Sequence, residues 1–161
     1  MKILVVSDTH RKDDNLKRVL SEECPLDMLI HLGDAEGSEH FIPDWVNPEC
    51  RMEMVLGNND FFSRLDRERE IDIAGHKAFI THGHYYGVSM GPEGLADEAK
   101  SRGCDIAMYG HTHRPFLDVI DGVTVLNPGS LSYPRQEGRR PSYMIINVGA
   151  DGKLDYQQKY L

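Results

Sequence analysis

Aspartate, asparagine and histidine residues are concentrated directly after the apolar stretches of this chain. Five apolar runs each end in a short polar cluster: SDTH at 7–10, GD at 33–34, GNND at 57–60, THGH at 81–84 and GHTH at 110–113. The clusters carry seven side chains with oxygen or imidazole donors: Asp8, His10, Asp34, Asn58, His82, His111 and His113. Carboxylate, amide and imidazole groups without thiolate are typical ligands of divalent cations such as Mn²⁺, Fe²⁺ and Zn²⁺.

The number of these donors favours two metal ions over one. A zinc ion in a protein is usually four-coordinate, so the seven candidates exceed a single site. Two ions that share one bridging carboxylate accommodate the set, and ions about 3.5–4 Å apart are a common device for hydrolysing phosphate esters. The donors therefore predict a centre of two divalent ions, with Mn²⁺ as the first expectation and Fe²⁺, Zn²⁺ or Ni²⁺ as alternatives.

The elements that must position these residues alternate between strand and helix over the first two-thirds of the chain. Strands are predicted at 2–6, 27–32, 52–56 and 105–109, and helices at 13–23 and 92–102. Hairpins are predicted at 69–81, 116–126 and 142–160. This order favours a layered α/β protein with two packed sheets and helices outside. No repeat or linker divides residues 1–161, so we expect a single domain.

The polar clusters are expected to meet at one edge of the fold, because ligands bind where the carboxyl ends of parallel strands lie together. Residues two apart in an extended chain point to the same side. Asp8 and His10, and likewise His111 and His113, are therefore expected to present paired ligands. The glycines of the clusters, at positions 33, 57, 83 and 110, permit sharp turns and close backbone approach.

Composition limits the partners that the chain is expected to have. The net charge is −8, which gives no general attraction for nucleic-acid backbones or anionic membranes. The apolar run near the N-terminus is too short for a signal peptide or a membrane span, and the three cysteines are widely separated. We expect a cytoplasmic protein that acts on a small phosphate ester rather than on long nucleic acid, with a homo-oligomer left open.

The order of the motifs resembles that of the calcineurin-like metallophosphoesterase superfamily. DxH, GD, GNxD, a later histidine and GHTH occur in that order between residues 8 and 113, and the loop Asn127-Pro128-Gly129-Ser130 also fits. The short length is similar to that of small single-domain bacterial and archaeal phosphodiesterases. The resemblance implies an αββα sandwich of two mixed β-sheets flanked by helices. It also implies phosphoester hydrolysis by a hydroxide activated between two metal ions.

The resemblance further implies an assignment of ligands to each ion. One ion would be held by Asp8, His10, Asp34 and His113. The other would be held by Asp34, Asn58, His82 and His111, so that Asp34 forms the bridge.

The chain departs from many larger family members at Asn59, which stands where they carry histidine. That histidine can protonate the leaving group, whereas an amide cannot supply a proton at pH 7. We therefore expect a preference for diesters or activated esters, with Asn59 and Asp60 as candidates for a direct role. His84, two residues beyond His82, is the best alternative proton donor.

Other interpretations of the same residues remain open at this point. A phosphomonoesterase would use the same ligands, and the fold also occurs in eukaryotes as a protein-interaction scaffold in a membrane-coat complex. Asp8 and Asp34 can cap helices, Asn58 and Asn59 can form turns, and His31 fits a partly buried, hydrogen-bonded histidine. The arginines beside the motifs are candidates for a phosphate clamp: Arg11, Arg114 and Arg135.

Overall fold

The computed structural model describes residues 1–161, which form ten strands in two five-stranded sheets. The first sheet contains β1 (Lys2–Val6), β2 (Met28–His31), β3 (Arg51–Met54), β9 (Ser142–Val148) and β10 (Leu154–Tyr160), in the order β10-β9-β1-β2-β3. The second contains β4 (Glu68–Ile73), β5 (His76–Thr81), β6 (Ile106–Met108), β7 (Pro115–Ile120) and β8 (Val123–Pro128), in the order β4-β5-β6-β8-β7.

Both sheets are mixed. In the first sheet, β1, β2 and β3 run parallel, and β9 pairs antiparallel with both of its neighbours, β1 and β10. In the second, β5, β6 and β8 run parallel, while β4 and β7 pair antiparallel at the two edges. The antiparallel strands are the arms of the hairpins that the sequence predicts, because a short turn can join only antiparallel neighbours.

The two helices lie on opposite outer faces. Helix α1 spans Asp14–Glu23 and α2 spans Glu93–Ser101, with shorter 3₁₀ segments at Ser38–His40, Ile42–Trp45 and His84–Tyr86. Helix α1 packs Leu16, Val19 and Leu20 on the first sheet, and α2 packs Leu95, Ala96 and Ala99 on the second. The layers are therefore helix, sheet, sheet, helix, which confirms the predicted αββα sandwich of mixed sheets.

The alternation of side chains along β1 shows why two layers form on each sheet. Ile3 and Val5 lie in the core between the sheets, whereas Leu4 and Val6 face α1. All four are fully buried, and a side chain of this size contributes about 1.5–3 kcal/mol when it leaves water. A strand buried on both faces is uniformly apolar, as KILVV is from its second residue onward.

A buried carboxylate fastens the end of α1 to the first sheet. Glu23 accepts hydrogen bonds from the Tyr143 hydroxyl at 2.9 Å and from Lys159 Nζ at 2.8 Å, and it forms an ion pair with Lys2 Nζ at 2.6 Å. Burial by itself would raise the pKa of Glu23, but these three partners lower it to about 2. This cluster joins the helix to β1, β9 and β10.

The start of α1 agrees with the helix predicted from residue 13, but no side chain caps it. Asp13 occupies the N-cap position of α1, yet its side chain makes no capping hydrogen bond. Its Oδ2 instead accepts a hydrogen bond from Ser38 Oγ at 2.7 Å, which ties the start of α1 to the loop after β2. None of the helices is long and apolar enough to cross a membrane.

Candidate metal centre

The five polar clusters lie together at one end of the sandwich. Three follow β1, β2 and β3 of the first sheet, and two follow β5 and β6 of the second. Within a sheet, the Asp8 N–H donates to the Gly33 carbonyl at 3.0 Å; between the sheets, the His111 N–H donates to Asp8 Oδ2 at 3.0 Å. The site therefore lies across the ends of two sheets, whereas the sequence argument placed the clusters on one shared edge.

Two overlapping groups of side chains are close enough to hold cations. One consists of Asp8, His10 and His113, and the other of Asp8, Asp34 and His82; within each group the ligand atoms lie within 4.8 Å of one another. Five of the seven predicted ligands are therefore gathered in these two groups. Asn58 and His111 complete the set through the contacts described below.

The two carboxylate oxygens of Asp8 differ: one accepts hydrogen bonds from the protein and the other accepts none. Its Oδ2 accepts hydrogen bonds from Ser7 Oγ at 2.6 Å and from the His111 N–H at 3.0 Å. Its Oδ1 is buried without a hydrogen bond, although His113 Nε2 lies 3.2 Å away. A buried carboxylate oxygen without a donor is costly, and a cation at this point would satisfy it.

The tautomers of three histidines direct lone pairs into the same space. The Nδ1–H groups of His82 and His113 donate to the carbonyls of Leu32 at 2.6 Å and Tyr133 at 2.7 Å, because a carbonyl only accepts. His10 Nδ1 lies 2.6 Å from the Glu36 carboxylate, so it too carries the proton. In the neutral rings the three Nε2 atoms are left as acceptors, which is how metal-binding histidines are commonly oriented.

The distance between two of these nitrogens supports the same conclusion. His10 Nε2 and His113 Nε2 are 3.3 Å apart. With Nδ1 protonated on both rings, two lone pairs face each other, which is unfavourable unless a positive charge lies between or beside them. The unpaired Asp8 Oδ1 and these imidazoles thus form a donor set that fits a divalent cation.

Asn58 and His111 stand on the other side of the site. Asn58 Oδ1 is 3.0 Å from both His82 Nε2 and His111 Nδ1. The amide oxygen of Asn58 and the two imidazole nitrogens therefore extend the donor group around His82. His111 therefore faces the group around His82, whereas His113 faces the group around His10.

Asp34 lies between His10 and His82 and so connects the two donor groups. Its Oδ2 is 3.4 Å from His82 Nε2 and 3.8 Å from His10 Nε2. Asn59 fixes this carboxylate through its backbone N–H to Oδ1 and its Nδ2 to Oδ2, both at 2.8 Å. This central position is the one that a bridging ligand requires.

The titratable groups of the site depend strongly on one another. Burial opposes ionisation of Asp8 and Asp34, but the neighbouring His113 and His82 outweigh it and lower the pKa of both carboxyls. Burial would lower the pKa of His82, and the two carboxylates instead raise it to about 9, so a cation that binds at its Nε2 would displace a proton. The protein thus keeps both carboxylates charged and attracts positive charge to this point, as a cation site must.

The backbone at the ligands is left-handed and not extended. Asp8, His10, His111 and His113 have φ of 56°, 47°, 67° and 58°, and Asp34 has 58°. Such values are uncommon for residues other than glycine and often mark functional sites. The expected extended backbone was therefore wrong, although Asp8 and His10 share one donor group as predicted. His111 and His113 turn to different donor groups because the chain curls between them.

Two glycines allow the clusters to approach one another closely. A Cβ on Gly57 would lie 2.1 Å from Asp34 Oδ1, and a Cβ on Gly110 would lie 2.0 Å from Ser7 Oγ and 2.8 Å from Asp8 Oδ2. Neither glycine has a positive φ, so the requirement is space. This confirms the expectation that glycine at these positions permits close approach.

The residues after Asn58 surround the site. Asp60 is buried, and its Oδ2 accepts the N–H groups of Asp34 at 2.8 Å and Gly57 at 2.7 Å, while Oδ1 accepts that of Glu36 at 2.6 Å. Asp60 is thus a positioning residue for the Asp34 loop, and a direct chemical role for it stays a prediction.

His84 lies at the outer side of the site, half-buried. Its ring centroid is 5.4 Å from that of His82 and 6.1 Å from that of His111. Its Nδ1 is buried without a hydrogen bond.

Several groups that orient the ligands were missed by the sequence analysis. Glu36 orients His10, and the carbonyls of Leu32 and Tyr133 orient His82 and His113. Ser130 Oγ donates to the Asp8 carbonyl at 2.8 Å and accepts the Tyr133 N–H at 2.8 Å. The NPGS loop was the available signal for Ser130, whereas a backbone carbonyl leaves none. The predicted hydrogen bonding of His31 is confirmed, with Thr9 Oγ1 3.0 Å from its Nε2, and the residue is fully rather than partly buried.

A two-sheet sandwich that gathers carboxylate, amide and imidazole donors at one end fits a metal-dependent hydrolase of phosphate esters. Residues 1–151 match the calcineurin-like phosphoesterase superfamily domain, and the chain belongs to this family. A probable metallophosphoesterase of Mycoplasma pneumoniae is 32% identical over 91% of this chain and 89% of its own length.

Solved structures share the fold over the whole chain. A structure described as a novel archaeal phosphodiesterase has a TM-score of 0.78 and 27% identity, and the alignment covers 100% of both chains. Vps29 of Entamoeba histolytica, in a complex with zinc, has a TM-score of 0.75 and 22% identity, with 99% of each chain covered. The second likeness concerns the fold alone.

Proposed function

We propose that this metal-dependent phosphoesterase is a phosphodiesterase that uses two divalent ions. The observation that carries the proposal is the convergence of three imidazole Nε2 atoms and the unpaired Asp8 Oδ1 on one space. Divalent ions bound there would supply Lewis acidity toward phosphoryl oxygens and lower the pKa of water. The name of the archaeal structure supports diesters as the substrate class.

The proposed ligands fall into two sets that share Asp34. Asp8, His10, Asp34 and His113 would hold one ion, and Asp34, Asn58, His82 and His111 would hold the other. The separate orientation of His111 and His113 supports this division, as does the position of Asp34 Oδ2 between His10 and His82. Oxygen and nitrogen donors without sulfur support Mn²⁺, with Fe²⁺, Zn²⁺ and Ni²⁺ as alternatives.

The preference for diesters rests on Asn59. Its amide is used on Asp34, and it carries no group that titrates near neutral pH. An aryl diester has a stable leaving group and needs little help from a protein acid, whereas an alkyl leaving group must be protonated as it departs. We propose Asn59 as a positioning residue for the bridging carboxylate.

His84 is the proposed proton donor for poor leaving groups. Its half-buried ring lies beside His82 and His111, and no protein group accepts or donates a hydrogen bond at its Nδ1. We expect His84→Gln to slow hydrolysis of a methyl aryl diester about tenfold more when the leaving aryl group is phenyl than when it is 4-nitrophenyl. An equal loss on both substrates would exclude His84 as the donor.

The proposed activity is tested with bis(4-nitrophenyl) phosphate and 4-nitrophenyl phosphate, each assayed with added Mn²⁺. We expect kcat/KM to be higher for the diester, and Asp34→Asn to lower it by at least about 100-fold because the shared ligand is lost. Asp66→Asn is the matched control, since the Asp66 side chain is 77% exposed and its ion-pair partner, Arg69, is not one of the metal-binding candidates.

Each alternative predicts a different outcome of the same assay. Faster hydrolysis of the monoester would make the protein a phosphomonoesterase. No hydrolysis by a protein that also binds no metal would favour an interaction scaffold.

Three further expectations remain proposals. The apolar core that the two sheets share supports a single domain over residues 1–161. Three free cysteines support a cytoplasmic location. A homo-oligomer stays open.

A further inference from the structure

A polar cavity opens beside the metal ligands. It has a volume of about 760 Å³, and it is lined on one side by His10 and His113. Three guanidinium groups line it as well, from Arg114, Arg135 and Arg139. This volume falls in the range of sites that take small molecules. The cavity therefore extends the metal centre in one direction, toward positive charge.

The three arginines of the cavity are grouped around one space, and no carboxylate neutralises any of them in an ion pair. The chain has 26 acidic and 18 basic residues, and four other arginines pair with carboxylates: Arg18, Arg51, Arg69 and Arg102. The structure contains no salt bridge to Arg114, Arg135 or Arg139. Three unpaired positive groups around one cavity of an acidic protein attract an anion to that place.

The arginine-bearing loop is fastened to a metal ligand. The Arg135 N–H donates to the His113 carbonyl at 3.0 Å, and the Tyr133 carbonyl accepts from His113 Nδ1 at 2.7 Å. Further along, the Arg139 N–H donates to the Gln136 carbonyl at 3.0 Å. The backbone at Arg135 is thus held against His113, which places the exposed arginine side chains of this segment beside the metal centre.

The one carboxylate that lines the cavity is already used. Glu36 lies at its edge, with its Oε1 2.6 Å from His10 Nδ1. It is therefore directed at the ring of His10 and is not a partner of the arginines. Tyr133 forms part of the wall, its ring edge-on to His10 with centroids 5.4 Å apart.

We propose that this cavity is a subsite for a second phosphate group of the substrate. This inference rests on the proposed phosphoesterase function and deepens it. The scissile phosphate occupies the metal centre, and Arg114, Arg135 and Arg139 bind a further phosphate through charge-assisted, bidentate hydrogen bonds. The substrate class is a small molecule that carries two phosphate groups. A long polyanion is disfavoured, because the cationic groups are confined to one cavity of a chain with charge −8.

The test compares two substrates that differ by one phosphate: thymidine 3′-(4-nitrophenyl phosphate) with and without a 5′-phosphate. For the unmodified protein with Mn²⁺, we expect kcat/KM to be about tenfold higher when the 5′-phosphate is present. In the double variant Arg135→Gln/Arg139→Gln the ratio falls to about one. Arg140→Gln is the matched control, since it lies on the same loop with its guanidinium over the Tyr160 ring and outside the cavity lining.

A second arm measures binding without hydrolysis. Calorimetry in EDTA compares thymidine 3′,5′-bisphosphate with thymidine 3′-phosphate, and we expect the bisphosphate to bind several-fold more tightly, with the difference lost in the double variant and at high salt. A protein that hydrolyses neither substrate refutes the proposed function and leaves this arm to decide the subsite. Equal rates on both substrates together with equal binding of both nucleotides, or an identical effect of Arg140→Gln, would overturn the subsite.

Discussion

Replacing Asp60 with asparagine separates a positioning role from a direct chemical one. The carboxylate accepts three backbone N–H groups, from Asp34 at 2.8 Å, Gly57 at 2.7 Å and Glu36 at 2.6 Å. An asparagine has one acceptor oxygen and one donor nitrogen. If the amide oxygen faces Asp34 and Gly57, the N–H of Glu36 meets another donor; in the reverse orientation two N–H groups lose their acceptor.

The cost follows from these contacts. Losing one charge-assisted hydrogen bond in a buried site, and weakening the other two, is worth about 3 kcal/mol. For a chain of this length a destabilisation of that size lowers Tm by roughly 6–12 °C. Because the Asp34 loop loses its anchor, we also expect the affinity for Mn²⁺ to fall at least about tenfold.

The assay combines thermal unfolding of the metal-free protein in EDTA with calorimetric titration of Mn²⁺. Asp66→Asn is again the control, and it is expected to change Tm by no more than about 2 °C. A variant Asp60→Asn that keeps its Tm and its metal affinity, and loses only kcat, would refute the positioning role and support direct participation in the reaction.

Three other perturbations probe the packing, the charge network and the metal centre. Gly57→Ala places a Cβ 2.1 Å from Asp34 Oδ1, so we expect Mn²⁺ affinity to fall at least about tenfold, while the helical control Gly94→Ala, whose nearest new contact is 3.4 Å, leaves calorimetric affinity unchanged. Glu23 has a folded-state pKa of about 2 against an ordinary 4.5, so it stabilises the fold by on the order of 3 kcal/mol above pH 4.5. This stabilisation is lost as the pH falls toward 2, so we expect Glu23→Gln to flatten the pH dependence of the urea-unfolding free energy between about pH 4.5 and 2. An unchanged pH profile would count against the ion-pair network. Saturating Mn²⁺ should raise Tm by about 10 °C over the EDTA-treated protein, and a comparable rise in Asp34→Asn would contradict the role of that carboxylate.

The strands and the order of the site residues could be read from the sequence because their signals are local. An apolar run such as KILVV predicts a strand buried on both faces, and a polar cluster after each run predicts convergence at the strand ends. The sequence could not show that β1 and β6 belong to different sheets, because strand pairing is a long-range property. It therefore placed Asp8 and His111 on a shared edge, whereas they meet across the sandwich.

The orientation of the metal-binding side chains could not be predicted from the sequence. Aspartate and histidine adopt a left-handed φ more often than most residues, but the residue type alone does not show that Asp8 and His113 do so. This backbone separates His111 from His113, which the sequence had paired. The carbonyl of Leu32 that fixes the His82 tautomer can belong to any residue, so only the fold identifies it. Asp60 suggested chemistry by its type, and its three backbone contacts give it a structural task that the type does not reveal.

The most direct test of the metal centre is anomalous diffraction from crystals grown with Mn²⁺. We expect two peaks about 3.5–4 Å apart, both in contact with Asp34, one beside His10 and His113 and the other beside His82 and His111. A single peak, peaks away from these side chains, or no anomalous density at the site would contradict the proposed pair of ions.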